Sequence, residues 1–150
     1  MPQQEIFFQK SLQSFKFLLD NFDFVQKPLY DVPGLWKVIY FNATTAIEVI
    51  FEVRDQLIYV NIHHLINGEI AKPYAEKSKN SFYLDNLLKI RNPNLPPFSF
   101  GGGGRWLSTS EIEDTIEKSA DALRTYAADI LQGDFSILPE IQALIHKYSQ

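Results

Sequence analysis

The chain has no cysteine among its 150 residues. Disulfides, thiolate nucleophiles, thiolate zinc sites and iron–sulfur ligation are thereby excluded. No apolar run approaches the roughly 20 residues that cross a bilayer. No cationic stretch precedes the first apolar segment, which follows Met1-Pro2-Gln3-Gln4-Glu5, and neither end carries a lipidation signal. These absences predict a cytoplasmic protein with no membrane partner. Cations are not in excess either: the net charge is −4 and the isoelectric point about 5.3. Nucleic-acid binding needs clustered Lys and Arg to neutralise phosphates, so no nucleic-acid partner is expected. An acidic chain more readily meets a basic protein. Gly-x-Ser-x-Gly, His-Glu-x-x-His, calcium-loop and nucleotide fingerprints are all missing, so no catalytic residue and no cofactor is expected.

What is present is material for a core. Hydrophobic residues make up 45% and charged residues 21%, with twelve Phe and seven Tyr. A chain of this length buries about 68–70% of its unfolded surface and fits a single domain over 1–150.

Phe8, Leu12, Phe15, Leu19 and Phe22 recur at steps of four and three, which predicts a helix from about 3 to 20 that Asn21 stops. Pro28 and Pro33-Gly34 leave room for at most a short edge strand around Phe24–Gln26. Period-two patterning predicts strands near Leu35–Phe41, Ala46–Val53 and Leu57–His64. A four-residue first turn, Asn42 to Thr45, pairs Tyr40 with Ile47, Val38 with Val49 and Trp36 with Phe51. A two-residue second turn, Asp55-Gln56, pairs Val53 with Ile58, Phe51 with Val60 and Val49 with Ile62. Both hairpins then bury one face, carrying Trp36, Val38, Tyr40, Ile47, Val49, Phe51, Val53, Ile58, Val60 and Ile62. Asn67-Gly68 marks a tight turn, after which Glu69-Ile70-Ala71 is expected to return as a short fourth strand. Residues 80–91 read as a short helix that Asn92-Pro93 ends. A Pro/Gly loop follows at 92–107 and is read as flexible, because four consecutive glycines, Gly101–Gly104, are costly to order. Ser108 or Ser110, each three residues before a glutamate, caps a long helix. Its stripe is Ile112, Ile116, Ala120, Leu123, Ala127, Ile130 and Leu131, with Gly133 as the stop. A last helix spans about 139–148. The fold class is therefore α+β: an N-terminal helix, an antiparallel meander of three to four strands, and C-terminal helices packed on one sheet face.

Candidate sites are surfaces. His63 and His64 are adjacent on a strand and point to opposite faces, so they do not grip one metal, and no metal site is expected. His63 is expected opposite Glu48, exposed or half-exposed. Glu48 and Glu52 share a face but stand roughly 13–14 Å apart, too far for a glycosidase pair at about 5–9.5 Å. The outward face is predicted to carry Lys37, Ile39, Glu48, Ile50, Glu52, Tyr59, Asn61 and His63, an apolar patch ringed by charge that suits recognition or dimerisation. Phe98, Phe100, Arg105 and Trp106 flank the glycine run and supply the residue types of interface anchors.

Several segments carry a resemblance: Phe17-Leu18-Leu19, Phe22-Asp23-Phe24, Tyr40-Phe41-Asn42, Ile47-Glu48-Val49, and the stretch from Tyr126 to Phe135 that holds Gln132-Gly133-Asp134. As a spaced hydrophobic pattern over most of the chain, they resemble small uncharacterised bacterial α+β proteins, some of which act as immunity proteins beside polymorphic toxins. The loop at 92–107 is not part of that pattern, and no catalytic residue carries over. The resemblance implies a non-catalytic module that binds another protein in an immunity-like or regulatory role. The expected partner is a second protein, or a second copy in a homodimer, met by the outward face or by the 98–106 segment. The alternative is a small-molecule or anion binder, or an enzyme, with a pocket under the 92–107 loop and Arg105 holding the anion.

Overall fold

The computed structural model describes residues 2–96 and 103–148. It is an α+β fold with one antiparallel sheet and helices layered on it. Helices α1 (Gln3–Ser14) and α2 (Phe17–Asn21) lead into β1 (Val25–Gln26), β2 (Tyr30–Val32), β3 (Leu35–Phe41), β4 (Thr45–Glu52) and β5 (Leu57–His64). Then come α3 (Tyr74–Lys79), β6 (Ser81–Tyr83), α4 (Leu84–Arg91), α5 (Thr109–Tyr126), α6 (Ala128–Leu131) and α7 (Leu138–Tyr148). The sheet runs β1-β3-β4-β5-β6, and β2 also pairs with β3. Thus β1 and β2 share one edge of β3, with Pro28, which has no N–H to donate, in the gap between them.

The single predicted N-terminal helix is two helices. The chain leaves helical geometry at Phe15 (φ −96°, ψ 7°). Phe15 and Phe17 are both buried, and the Phe15 ring stacks on Tyr40 at 6.2 Å. An unbroken helix turns positions two apart roughly 200° away from each other, so the break is what lets both rings face the core.

The β3–β4 register is as patterned, with Tyr40 opposite Ile47 and Trp36 opposite Phe51. The β4–β5 register differs by two residues: Phe51 faces Ile58, Val49 faces Val60 and Ile47 faces Ile62. The turn therefore spans Val53 to Gln56, not Asp55-Gln56 alone. Gln56 sits at φ +50°, and its buried side chain accepts from Gln3 Nε2 (2.7 Å) and from the Leu107 N–H (2.9 Å). Those distant partners hold Gln56 inside the turn. Because the slip is an even number, every side chain keeps its face. The predicted inner set stays inward, with Val38, Tyr40, Ile47, Val49, Phe51 and Ile62 fully buried.

The fourth main strand is Ser81–Tyr83, inside the stretch read as one helix from 80. Glu69-Ile70-Ala71 forms no strand, only an isolated bridge between Glu69 and Ile66. The Asn67-Gly68 turn is there, with both residues at positive φ (54° and 79°), as tight hairpin turns require. Ser108 is the α5 cap: its Oγ accepts from Glu111 N–H (3.2 Å) while Glu111 Oε1 accepts from Ser108 N–H (3.0 Å). The stripe from Ile112 to Leu131 is buried throughout, but the one long helix expected is two: α5 ends at Tyr126, Ala127 leaves helical geometry (φ −122°, ψ 16°), and α6 carries Ile130 and Leu131. Side chains of α1, α2 and α4 to α7 meet the inner sheet face in one core cluster, for example Phe7 edge-on to Phe51 at 5.6 Å. The opposite face lies away from that cluster and carries the site.

Candidate functional site

Alternation along four adjacent strands sends Lys37 (β3), Glu48 (β4), His63 (β5) and Ser81 (β6) to the outer face. They form a continuous polar chain. Lys37 Nζ stands 3.4 Å from Glu48 Oε2, His63 Nε2 2.5 Å from Glu48 Oε1, and His63 Nδ1 2.6 Å from Ser81 Oγ. Burial pushes the Glu48 carboxyl upward, but the hydrogen bond and field of His63, then the Lys37 ammonium, more than reverse this and hold it at about 2. Glu48 is thus a carboxylate at neutral pH and an acceptor, so His63 Nε2 carries a proton. The second ring nitrogen, Nδ1, shares the other hydrogen bond with Ser81 Oγ. The connectivity is hydroxyl–imidazole–carboxylate, with the ring nitrogens exchanged relative to a serine-hydrolase triad. Its evident physical effect is to satisfy a buried charge and to lock the Ser81 hydroxyl against the sheet.

Beside this layer, Tyr59 and Tyr83 meet edge to face, with centroids 5.5 Å apart and planes at 90°. Tyr59 Oη donates to Glu52 Oε1 at 2.6 Å. Burial, then that carboxylate, push the Tyr59 phenol above its ordinary range, so it stays a neutral donor. Glu52, Leu57, Tyr59 and Tyr83 enclose a concavity of about 270 Å³. A carboxylate and two tyrosine rings lining one space favour a cation.

Tyr83 also lines a second pocket, of about 440 Å³, walled by β5 and β6 and by α3, α4 and α7. Asn61, Tyr74, Lys77, Asn86 and Lys89 line it with Tyr83.

The outward residues proposed from sequence share one face, but not all of them are surface. Glu52 and Tyr59 are half-buried and reach solvent, as does Ile39. Ile50 is buried at 3% exposure. It occupies the middle strand, with the long side chains of Lys37 and Tyr59 as its cross-strand neighbours. Glu48 and His63 are buried as well, at 6% and 1%, which corrects the expected exposed pair. The register sets His63 opposite Ala46 and Glu48 opposite Asn61, so the two reach each other diagonally. Strand β6 makes β5 an interior strand and covers His63 with Ser81.

The loop residues form a separate group. Gly103 and Gly104 donate their N–H groups to Asp55 O (3.2 and 3.1 Å), which fastens this end of the loop to the β4–β5 turn. Arg105 is engaged by Glu111 at 2.6 and 3.3 Å, and Trp106 is 67% exposed. Phe98 and Phe100 lie outside the described residues. The pocket nearest the described start of the loop, beside Leu95 and Tyr126, measures about 200 Å³.

Tyr83, Ser81 and Tyr74 were missed from sequence. The alternation Ser81-Phe82-Tyr83 was the signal for Ser81 and Tyr83, with Phe82 inward at 3% exposure and Tyr83 outward at 50%, but three residues are too few to outweigh the helical pattern that follows; Tyr74, on α3, stood in no such pattern.

Among the described residues no group of three or more His, Asp or Glu is placed to hold a metal ion, and no helix is long and apolar enough to cross a membrane. Compared with known proteins, the chain matches no family model, no curated sequence and no solved structure.

Proposed function

We propose that this chain is a non-catalytic protein-binding module, immunity-like or regulatory in role, whose outer sheet face docks a basic partner protein. The observation that carries the reading is the Glu52–Tyr59–Tyr83 concavity, a carboxylate and two crossed tyrosine rings in a space of about 270 Å³. An Arg or Lys side chain from the partner is the natural occupant. Tyr30, 41% exposed, extends the same face, and its ring already takes the Lys37 ammonium at 5.3 Å. Tyrosines of this kind are frequent anchors of protein interfaces. The net charge of −4 adds long-range attraction for a basic surface. Beneath the anchors, the hydrogen-bonded layer from Lys37 to Ser81 holds the strands rigid, so little order need be gained on docking.

The test is affinity capture from the native lysate with wild type, Tyr83→Ala and Glu52→Gln baits in parallel. A stoichiometric basic protein that both variants lose, and that added salt releases, is the expected result. A partner retained equally by all three baits overturns the proposal. Light scattering covers the homodimer: a wild-type dimer that Tyr83→Ala converts to monomer puts a second copy in the partner's place.

A further inference from the structure

We infer that the 440 Å³ pocket between β6, α3, α4 and α7 is a binding site for a small organic anion that carries a flat ring. This goes beyond the partner reading and uses neither Glu52 nor Tyr59.

Size comes first. The volume lies within the roughly 300–1,000 Å³ typical of small-molecule sites, more room than one inserted side chain fills. Charge comes second. The chain has 18 acidic residues against 14 basic ones, yet Lys77 and Lys89 line this pocket and no described carboxylate does. Helical spacing explains the cluster: Tyr74 and Lys77 stand three apart on α3, as Asn86 and Lys89 do on α4, so each pair shares a helix face. The third element is donor chemistry. Asn86 Oδ1 accepts from the Tyr83 N–H at 2.9 Å, which leaves the Asn86 NH₂ for a ligand. Asn61 contributes a second amide to the wall.

The ring follows from the walls. Tyr74 is 80% exposed and Tyr83 50%, two aromatic rings in the lining of a pocket that also includes Phe82 and Ile145. An aromatic left so bare gains contact area when a flat group packs on it. The Lys77 ammonium takes the anionic end with the positive charge of Lys89 beside it, the amides orient it, and the tyrosines hold the ring. The chemical class is an aryl phosphate or aryl carboxylate.

The test is a two-dimensional NMR titration of the full chain with phenyl phosphate, benzoate, inorganic phosphate and, as a cationic control, benzylammonium. Phenyl phosphate or benzoate is expected to shift the Asn61 and Asn86 side-chain amides saturably, with dissociation constants of about 1 mM or lower. Inorganic phosphate is expected to bind more weakly, and benzylammonium not to move these amides. Lys77→Ala, Lys89→Ala and Tyr74→Ala should each weaken phenyl phosphate about five- to tenfold. These are surface positions, so a folded spectrum is expected for each variant. Glu52→Gln should bind phenyl phosphate as wild type does, which separates failure here from failure of the partner reading. Absence of saturable shifts with all three anions up to about 20 mM, or unchanged affinity in a Lys77→Ala/Lys89→Ala double variant, overturns the inference. So does equal response to benzylammonium.

Discussion

Tyr59 and Tyr83, from neighbouring antiparallel strands, stand at right angles with ring centroids 5.5 Å apart. They are not directly opposed: Tyr83 faces Asn61, two residues beyond Tyr59. Tyr83 lines two hollows, one with Glu52, Leu57 and Tyr59 and one with Lys77 and Lys89. One residue thus belongs both to a cation-favouring hollow and to an anion-favouring one.

Tyr83→Ala removes that wall. Half of this side chain is already in solvent, so the melting temperature should change little. Affinity for the basic partner should fall about tenfold or more, as for an interface anchor. Calorimetry with the captured partner reads the loss, with thermal melting as the control for fold. A variant that melts far lower would mark Tyr83 as structural.

Ile50→Asp should unfold the domain although Ile50 points away from the helical layer. At 3% exposure the new carboxylate would be desolvated, at about 3–5 kcal/mol unless it finds a partner. Val49→Asp, on the inner face at 0%, should behave alike. Urea denaturation of the two variants is the comparison. A native-like midpoint for Ile50→Asp would mean that the face is more open than described.

Acid should weaken the fold through Glu48. Its folded pKa, about 2, lies below the ordinary 4.5, so the unfolded chain takes up this proton first as pH falls. The contribution is complete above about pH 4.5 and lost as pH drops toward 2. It is on the order of 2–3 kcal/mol at neutral pH. Melting temperatures from pH 7 to 2.5 should fall through this window in the wild type, and less steeply in Glu48→Gln. Parallel curves for the two proteins would show that Glu48 does not carry the dependence.

Gly133→Ala should destabilise by about 1–3 kcal/mol. Gly133 ends α6 at φ +95°, with its N–H on Ile130 O and the Asp134 N–H on Asp129 O, both at 2.9 Å. This is the paired closure of a Schellman cap. A methyl group there adds left-handed strain and would stand 3.0 Å from Thr44 Oγ1. The loss should also loosen α4, because Arg91 spans to Asp129 through two bonds of 2.6 Å. Hydrogen exchange at α4 and α6 would report both effects, and unchanged protection would refute the coupling.

Local pattern by itself determined which face each long strand buries, that a serine at 108 or 110 paired with a glutamate opens α5, and where the turn at Asn67-Gly68 and the stop at Gly133 fall. Each depends on a side chain's immediate neighbours: alternation sets the face of Val38 or Val49, and Glu111 caps Ser108 from three residues away. Tertiary structure alone decided the rest. The two-residue shift of β4 against β5 leaves every face unchanged and so leaves no trace in alternation. It goes with Gln56, whose partners Gln3 and Leu107 lie 53 and 51 residues away. The burial of Ile50 and Glu48 waits on Lys37, Tyr59 and His63 of the neighbouring strands, and that of His63, with the two hollows that Tyr83 lines, on β6, a three-residue strand whose place beside β5 comes from long-range pairing and not from its own propensity.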